Sequence, residues 1–201
     1  MRHAVSASLL AAVAACSPAI PDAAPAARTT SYAGVVDSVV PRDEALRRFP
    51  AGLAEPSGLD GAAATSRDAL VRAFVQAVES GDSAGVRALV LTRAEFGWLY
   101  YPTTPQGLPP YELSPSLLWF LTDGATSQGV RRLFEERAGR PLGYRGYRCD
   151  PAPSREGANT VWGPCLVRRL QAAGDTVEER LFGLILERAG RFKFVSLANK
   201  H

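Results

Sequence analysis

The fold is decided by residues 160–198, TVWGPCLVRRLQAAGDTVEERLFGLILERAGRFKFVSLA, where apolar and polar side chains alternate over much of the length. A period of two is typical of β-strands. Turn residues divide this stretch, and a similar pattern precedes it. The sequence therefore predicts an antiparallel sheet of about four strands, over residues 143–149, 160–172, 176–188 and 191–198.

The first tight turn of this sheet is predicted at Ala173-Gly174, from the charges that it brings together. A two-residue loop there sets Arg169 opposite Glu178, whereas a loop shifted by one residue would set Arg169 opposite Arg180. Opposite charges across a ladder stabilise a sheet by about 0.2–1 kcal/mol each, and like charges destabilise it. The charge pattern therefore favours the first register.

The last hairpin turns at Ala189-Gly190, which sets Glu187 opposite Phe192 and Ile185 opposite Phe194. This hairpin is apolar on both faces, whereas a sheet covered on one side alternates apolar and polar residues. One face carries Ile185, Phe192 and Phe194, and the other carries Leu184, Leu186, Val195 and Leu197. We expect the second face to be covered by a partner subunit, by residues 31–60 or through curvature of the sheet.

Helices are predicted ahead of the sheet, each opening on a capping residue. Ser66 or Thr65 caps a helix that runs to about Ser80, and Asp82 caps a short second helix. Thr92 and Glu95 have capping-box spacing, which opens either a third helix or a turn into residues 96–101. Two further helices are predicted, one opening at Ser114-Pro115 and broken at Asp123-Gly124, and a last one ending at Gly139. The fold class is thus α+β, with N-terminal helices packed on a curved C-terminal antiparallel sheet.

Composition indicates one ordinary domain with an additional segment. The chain has 201 residues, of which 46% are hydrophobic, and a net charge of +3, which is too balanced for a dedicated nucleic-acid binder. Its two histidines, His3 and His201, stand near the ends. This placement excludes a catalytic triad, a histidine-ligated zinc or a histidine base in the domain core. We expect no catalytic residue, no metal and no cofactor.

Residues 1–15 have the features of a secretory signal. Arg2 precedes a twelve-residue run of small and apolar side chains that is too short to span a bilayer. The run ends in Val13-Ala14-Ala15-Cys16, which resembles a bacterial lipobox. The resemblance implies that Cys16 is lipidated and anchors the protein outside the cytoplasm. Where a cell has two membranes, Ser17 after the cysteine implies the periplasmic side of the outer membrane.

Residues 16–60 are predicted to be a Pro/Ala-rich tether, and residues 61–201 the folded domain. Proline-rich sequence without aromatic residues cannot pack a core, and three prolines lie between Ser17 and Thr30. Residues 31–60 are more apolar, and residues 43–49 suit two helical turns. The tether is therefore expected to contain a semi-ordered segment that lies on the domain.

Cys149 and Cys165 remain as an even pair once Cys16 is assigned to lipidation. Outside the cytoplasm such a pair favours a disulfide between successive strands. The chain-entropy model gives about 3 kcal/mol for a bridge that closes a loop of roughly 16 residues. Free buried thiols, or redox or metal chemistry, are the alternatives, and the spacing is not the C-x-x-C of thioredoxin-like proteins.

The element order resembles the nuclear transport factor 2-like superfamily, which includes SnoaL-like bacterial proteins and has the cystatin-like cone fold. The resemblance covers about residues 65–198. It depends on a helix, the stretch Glu79-Ser80-Gly81-Asp82, a short helix ending in Leu89-Val90, and the terminal sheet. It implies a pocket between sheet and helices, where enzymatic members place Asp, His or Tyr. That family has a strand after the second helix, which here must be residues 96–101 or be lost to helix.

A pocket of this kind would draw on the aromatic residues near the third helix. The candidates are Glu95, Trp98, Tyr100, Tyr101, Tyr111 and Trp119. Tyrosine hydroxyls and a carboxylate supply polar groups in an apolar pocket. Core packing is the alternative for the aromatic residues, and the capping box is the alternative for Glu95.

The sequence thus favours a non-catalytic, membrane-anchored lipoprotein at the cell envelope. Its domain would bind a small apolar ligand or a protein partner, the latter as a homodimer or an envelope protein through the sheet face. The alternative function is a small pocket enzyme of the isomerase, cyclase or dehydratase kind, using a carboxylate and a tyrosine.

Overall fold

A computed structural model describes residues 40–59, 61–171 and 173–197. The predicted signal peptide, Cys16 and the tether before residue 40 lie outside the described residues. The described chain is α+β, with two antiparallel sheets. Its helices are α1 (Arg42–Arg48), α2 (Arg67–Glu79), α3 (Ser83–Ala88), α4 (Arg93–Glu95), which continues into a π-helical turn (Phe96–Tyr100), and α5 (Pro115–Arg137).

The predicted caps are confirmed. The side chains of Ser66, Asp82 and Ser114 each accept a hydrogen bond from a backbone amide in the first turn of the helix that follows. Thr92 and Glu95 form the complete capping box, in which each side chain accepts from the other residue's backbone amide. Residues 96–101, expected as a strand or a helix, are helical.

Helix α5 differs from the two helices predicted, because it runs through Asp123-Gly124 without a break. A glycine inside a helix costs about 1 kcal/mol relative to alanine. Burial of Val130 and Leu133, about two turns later in the same helix, outweighs this cost, since a buried aliphatic side chain contributes about 1.5–3 kcal/mol.

The strands form a three-stranded and a four-stranded sheet. The first has the order β1-β4-β5 and the second β2-β3-β6-β7. The strands are β1 (Tyr144–Cys149), β2 (Ser154–Glu156), β3 (Asn159–Trp162), β4 (Cys165–Leu170), β5 (Thr176–Glu179), β6 (Ile185–Arg188) and β7 (Arg191–Phe194). All pairings within the sheets are antiparallel.

The β4–β5 register is one residue away from the prediction. Arg169 lies opposite Val177 instead of Glu178, because the turn contains one more residue and closes with a 2.8 Å hydrogen bond from the Gln171 amide to the Asp175 carbonyl. The charges are still matched in this register. Arg169 reaches diagonally to Glu179, with Nη2 at 2.6 Å from Oε1. Diagonal pairing therefore makes the charge pattern compatible with both registers.

The predicted strands 160–172 and 176–188 are each interrupted at the same level of the hairpin. Gly163-Pro164 separates β3 from β4, and residues 180–184 separate β5 from β6. A Cβ on Gly163, at φ 137°, would lie 2.8 Å from a methyl group of Leu184. The interruption is thus a point of close approach that requires glycine, and it divides one predicted sheet into two.

The β6–β7 register is as predicted, with Ile185 opposite Phe194 and Glu187 opposite Phe192. Two hydrophobic cores lie on the two faces of this hairpin. The first packs Ile185 and Phe194 against helices α2, α3 and α5, in a cluster that includes Leu70, Phe74, Val78, Val86, Leu133, Val167 and Phe182. The rings of Phe74, Phe182 and Phe194 lie within 4.6–5.6 Å of one another.

The second core shows that the chain itself covers the other face of the last hairpin. Leu186 and Val195 pack there with Phe49, Leu59, Leu91, Phe96, Leu99, Tyr100, Tyr101 and Val161. Residues 31–60 were one of the three expected ways of covering this face, and they contribute Phe49 and Leu59. The π-helical turn contributes Phe96, Leu99 and Tyr100.

Cys149 and Cys165 form a disulfide. They lie directly opposite each other on β1 and β4. The bridge joins the edge of the three-stranded sheet to the residue that follows the Gly163-Pro164 interruption. No helix among the described residues is long and apolar enough to cross a membrane.

Candidate docking surface

A group of large apolar side chains is exposed to solvent on one short stretch of the chain. Six large hydrophobic side chains are exposed in the described residues, and five of them lie within residues 108–121. We call these five the docking surface: Leu108, Tyr111, Leu117, Phe120 and Leu121. Such a concentration is unusual, because exposed apolar residues on a monomer are normally scattered singly.

Phe120 and Tyr111 contribute most of this surface, since they are 72% and 65% exposed. An aromatic side chain carries roughly 150–250 Å², so these two alone leave on the order of 270 Å² in water. The three leucines, which are 38–49% exposed, add further apolar area in water.

The centre of the docking surface is a helical ridge. Leu117, Phe120 and Leu121 have the spacing i, i+3, i+4 on α5, so their side chains project from one face of the first two turns. The opposite face of the same turns is also apolar. There Leu118 and Trp119 pack against the second core, and the Trp119 and Phe96 rings lie 5.2 Å apart.

The loop before α5 is held in place by hydrogen bonds to backbone carbonyls. The Tyr101 hydroxyl donates to the Leu113 carbonyl at 2.8 Å. From the other side, Arg42 on α1 donates to the carbonyls of Pro102 and Gly107, at 2.7 and 3.2 Å. The loop that presents Leu108 and Tyr111 is therefore fixed against the domain at both of its ends.

The predicted pocket residues divide into two groups. Five of the six lie together at the second core, where Tyr100 and Tyr101 are buried members, Glu95 is fully buried, and Trp98 and Trp119 pack partly buried against the cluster. Tyr111 lies apart from them, in water on the docking surface. Four of the aromatic residues, Trp98, Tyr100, Tyr101 and Trp119, thus pack in or against this core.

Glu95 lies in an ion pair with Lys193 on β7, at 2.8 Å between Oε1 and Nζ. The two side chains are 0% and 2% exposed. The other carboxylate oxygen of Glu95 accepts from the Thr92 amide at 2.7 Å and from Lys193 at 2.9 Å. Glu95 is therefore both the capping residue and the partner of a buried ammonium group, which compensates the cost of burying each charge.

A second buried carboxyl group, that of Glu156, lies near Tyr100. Burial raises the pKa of both groups, and the charge of Glu156 raises the pKa of Tyr100 further. One oxygen of Glu156 accepts from the Ser154 hydroxyl at 3.0 Å, while its Oε2 is buried without a hydrogen bond. The adjacent Asn159 donates to the Leu99 carbonyl at 2.7 Å. This cluster holds the π-helical turn against the β2–β3 hairpin.

No protein-family model, curated protein or solved structure matches this chain. Among the described residues, no group of three or more His, Cys, Asp or Glu side chains could hold a metal ion.

The docking surface was not predicted, because an apolar run on a helix does not show which of its side chains stay exposed. The signal is the unbroken apolar run Leu117-Leu118-Trp119-Phe120-Leu121. Five consecutive apolar residues cover the whole circumference of a helix, whereas a helix on a core needs an apolar stripe only. Lys193 and Glu156 were also missed, since nothing in their local sequence indicates burial.

Proposed function

We propose that this protein is a membrane-anchored, extracytoplasmic lipoprotein without catalytic activity, and that its domain binds a protein partner of the cell envelope through the docking surface. The observation that carries the proposal is the exposure of five large apolar side chains within residues 108–121. Burial of such a surface on binding removes apolar area from water, at about 25 cal/mol per Å².

A protein partner fits this surface better than a small molecule. Small ligands bind in concave pockets that enclose most of their surface. Leu117, Phe120 and Leu121 instead form a convex ridge on α5. Ridges of this kind insert into apolar grooves between helices or on a receptor, and aromatic residues are typical centres of such interfaces.

The anchor is supported by the sequence around Cys16, which resembles a lipobox. The Cys149–Cys165 disulfide agrees with an oxidising compartment outside the cytoplasm. Two or three acyl chains on Cys16 would hold the protein stably at a membrane, since a single chain binds only marginally. Metabolic labelling with an alkynyl fatty acid tests this: the wild-type chain should be labelled and a Cys16→Ser variant should not.

Photo-crosslinking in the producing cell tests the docking surface. A photoreactive phenylalanine at Leu117 should crosslink a discrete protein, and the additional substitution Phe120→Ser should abolish the product. The same probe at Arg145, an exposed residue on β1, is the matched control and should give no such product.

The outcome of this experiment also identifies the class of partner. A product of twice the chain mass that contains only this protein would make the partner a second copy. Products with lipid alone, or equal products from Leu117 and Arg145, would contradict a protein-docking surface.

We also propose that the domain has the cystatin-like cone fold of the nuclear transport factor 2-like superfamily. It is supported by the order α2, Gly81-Asp82, α3, a long helix and a C-terminal antiparallel sheet. The helical π-turn at residues 96–100 stands where that family has a strand. An experimental structure, superposed on members of the family, tests the assignment.

The pocket enzyme remains the second candidate, and Tyr100 with Glu156 is the observation that favours it. Both groups are buried, and each has a raised pKa. However, the adjacent Asn159 already donates to the Leu99 carbonyl and to the Thr103 hydroxyl. If the wild type turned over a substrate and both Tyr100→Phe and Glu156→Gln lost that activity, the result would favour the enzyme over the docking protein.

A further inference from the structure

A groove opens where the long hairpin is interrupted. It has a volume of about 320 Å³ and is lined by Pro164, Arg180, Gly183, Leu184 and Ser196. Pro164 follows β3, and the segment 180–184 connects β5 to β6. The groove therefore has its origin in the fold, because both strands leave the ladder at the same level and the two sheets separate there.

The glycine at position 183 keeps the groove narrow on one side. A Cβ on Gly183 would lie 2.6 Å from the Ser196 hydroxyl oxygen and 2.9 Å from the Ser196 carbonyl oxygen. The Gly183 amide donates to that carbonyl at 2.9 Å. The Ser196 backbone is thus held against Gly183, and its hydroxyl oxygen occupies space that a side chain at position 183 would need.

Among the described residues, Arg180 is the one cation that lines the groove, and within that part of the chain its side chain makes no ion pair or hydrogen bond. Two arginines of the neighbouring three-stranded sheet are paired. Arg169 binds Glu179 at 2.6 Å, and Arg148 binds Glu178 at 2.7 Å. Arg180 is half-buried, so its guanidinium is available at a site that is partly removed from water.

We propose that this groove binds an aliphatic monocarboxylate, such as a medium-chain fatty acid. Arg180 would take the carboxylate, for which its planar guanidinium has matching donors, and the Ser196 hydroxyl would add a further donor. Leu184 and Pro164 would contact the alkyl chain. The site lies outside the docking surface and does not depend on the proposed function.

The charge and the size of the groove both narrow the ligand class. A single arginine balances one negative charge, whereas phosphate-binding sites normally converge several donors or cations on a dianion. A volume of about 320 Å³ is at the lower end of the roughly 300–1,000 Å³ range of ligand pockets. A short alkyl chain therefore fits better than a long or branched one.

Calorimetric titration with octanoate tests the inference, using the full chain with Cys16→Ser so that its own acylation does not interfere. Octanoate should bind saturably at one molecule per chain. Octanol and octyltrimethylammonium should bind at least about tenfold more weakly, since loss of one charge-assisted interaction corresponds to about that factor.

Variants locate the site. Arg180→Gln should weaken octanoate binding about tenfold, whereas Arg145→Gln, at an exposed arginine on β1, should leave it unchanged. Circular dichroism spectra that match the wild type would show that Arg180→Gln folds. The proposal is overturned if octanoate does not bind, or if Arg180→Gln binds it as tightly as the wild type.

Phe120→Ser separates this inference from the proposed function. It should leave octanoate binding unchanged. If Phe120→Ser lost octanoate binding and Arg180→Gln kept it, octanoate would bind at the docking surface. That result would overturn the proposal that octanoate binds in the groove.

Discussion

At the scale of single residues, the buried ion pair of Glu95 and Lys193 joins α4 to the last strand. Lys193→Met leaves the Glu95 carboxylate without its ammonium partner, which for a buried pair costs about 3–5 kcal/mol. The double variant Lys193→Met/Glu95→Gln should recover part of that loss, because the introduced amide oxygen can still accept from the Thr92 amide. Urea unfolding measures both differences.

The matched control is the exposed pair of Arg131 and Glu135 on α5, at 3.2 Å. Arg131→Met should change the free energy of unfolding by less than about 1 kcal/mol, because exposed pairs contribute little. Equal effects of Lys193→Met and Arg131→Met would show that the buried pair has no special role.

Glu156 makes stability depend on pH. Burial raises the pKa of this carboxyl in the folded protein, so the folded state holds its proton to a higher pH than the unfolded state. Stability should therefore fall as the pH rises from the ordinary value of 4.5 through the raised pKa, and then level off.

Glu156→Gln should remove this part of the pH dependence and make the protein more stable at neutral pH. Melting temperatures of the wild type and the variant, measured across that range, check the prediction. Curves that stay parallel from acid to neutral pH would mean that Glu156 titrates normally.

At the scale of elements, two glycines should respond to alanine with opposite signs. Gly124 lies inside α5, and a Cβ there would meet no atom within 4 Å. Gly124→Ala should stabilise the protein by about 0.5–1 kcal/mol, since alanine has less conformational entropy to lose. Gly183→Ala should destabilise it by about 1–3 kcal/mol, because its Cβ would collide with Ser196.

Thermal denaturation of the two glycine variants measures both changes. The comparison also tests the continuity of α5, because alanine would have no stabilising effect at a position where the helix breaks. A lower melting temperature for Gly124→Ala than for the wild type would indicate that the helix is broken at Asp123-Gly124, as the sequence predicts.

At the scale of the whole molecule, the second core joins residues from the predicted tether to the last hairpin. Phe49 is buried there, and its ring approaches Gly97 so closely that a Cβ would lie 2.8 Å away. The Arg93 guanidinium lies 4.9 Å from the centre of the same ring. The folded unit therefore uses side chains that precede residue 61.

A chain that begins at residue 61 should consequently be less stable than one that begins at residue 40. Removal of a buried phenylalanine costs about 3–5 kcal/mol, and loss of the buried Leu59 adds to this. Urea unfolding of the two chains gives the difference. Equal midpoints would show that the second core forms without residues 40–59.

The sequence by itself determined the features that depend on neighbours along the chain. The caps at Ser66, Asp82 and Thr92 follow from local hydrogen bonds, and the β6–β7 register follows from a two-residue turn. The Cys149–Cys165 disulfide could likewise be predicted, from an even pair of cysteines on adjacent strands.

Only the tertiary structure decided the features that depend on what lies opposite a residue. The β4–β5 register had two solutions with matched charges, and the length of the turn chose between them. The chain itself covers the second face of the last hairpin, and α5 leaves Phe120 in water while Trp119 is packed inside. The hydrophobic effect depends on the apolar area removed from water and not on which residues remove it. An apolar pattern therefore predicts that a face is covered, but not which residues cover it.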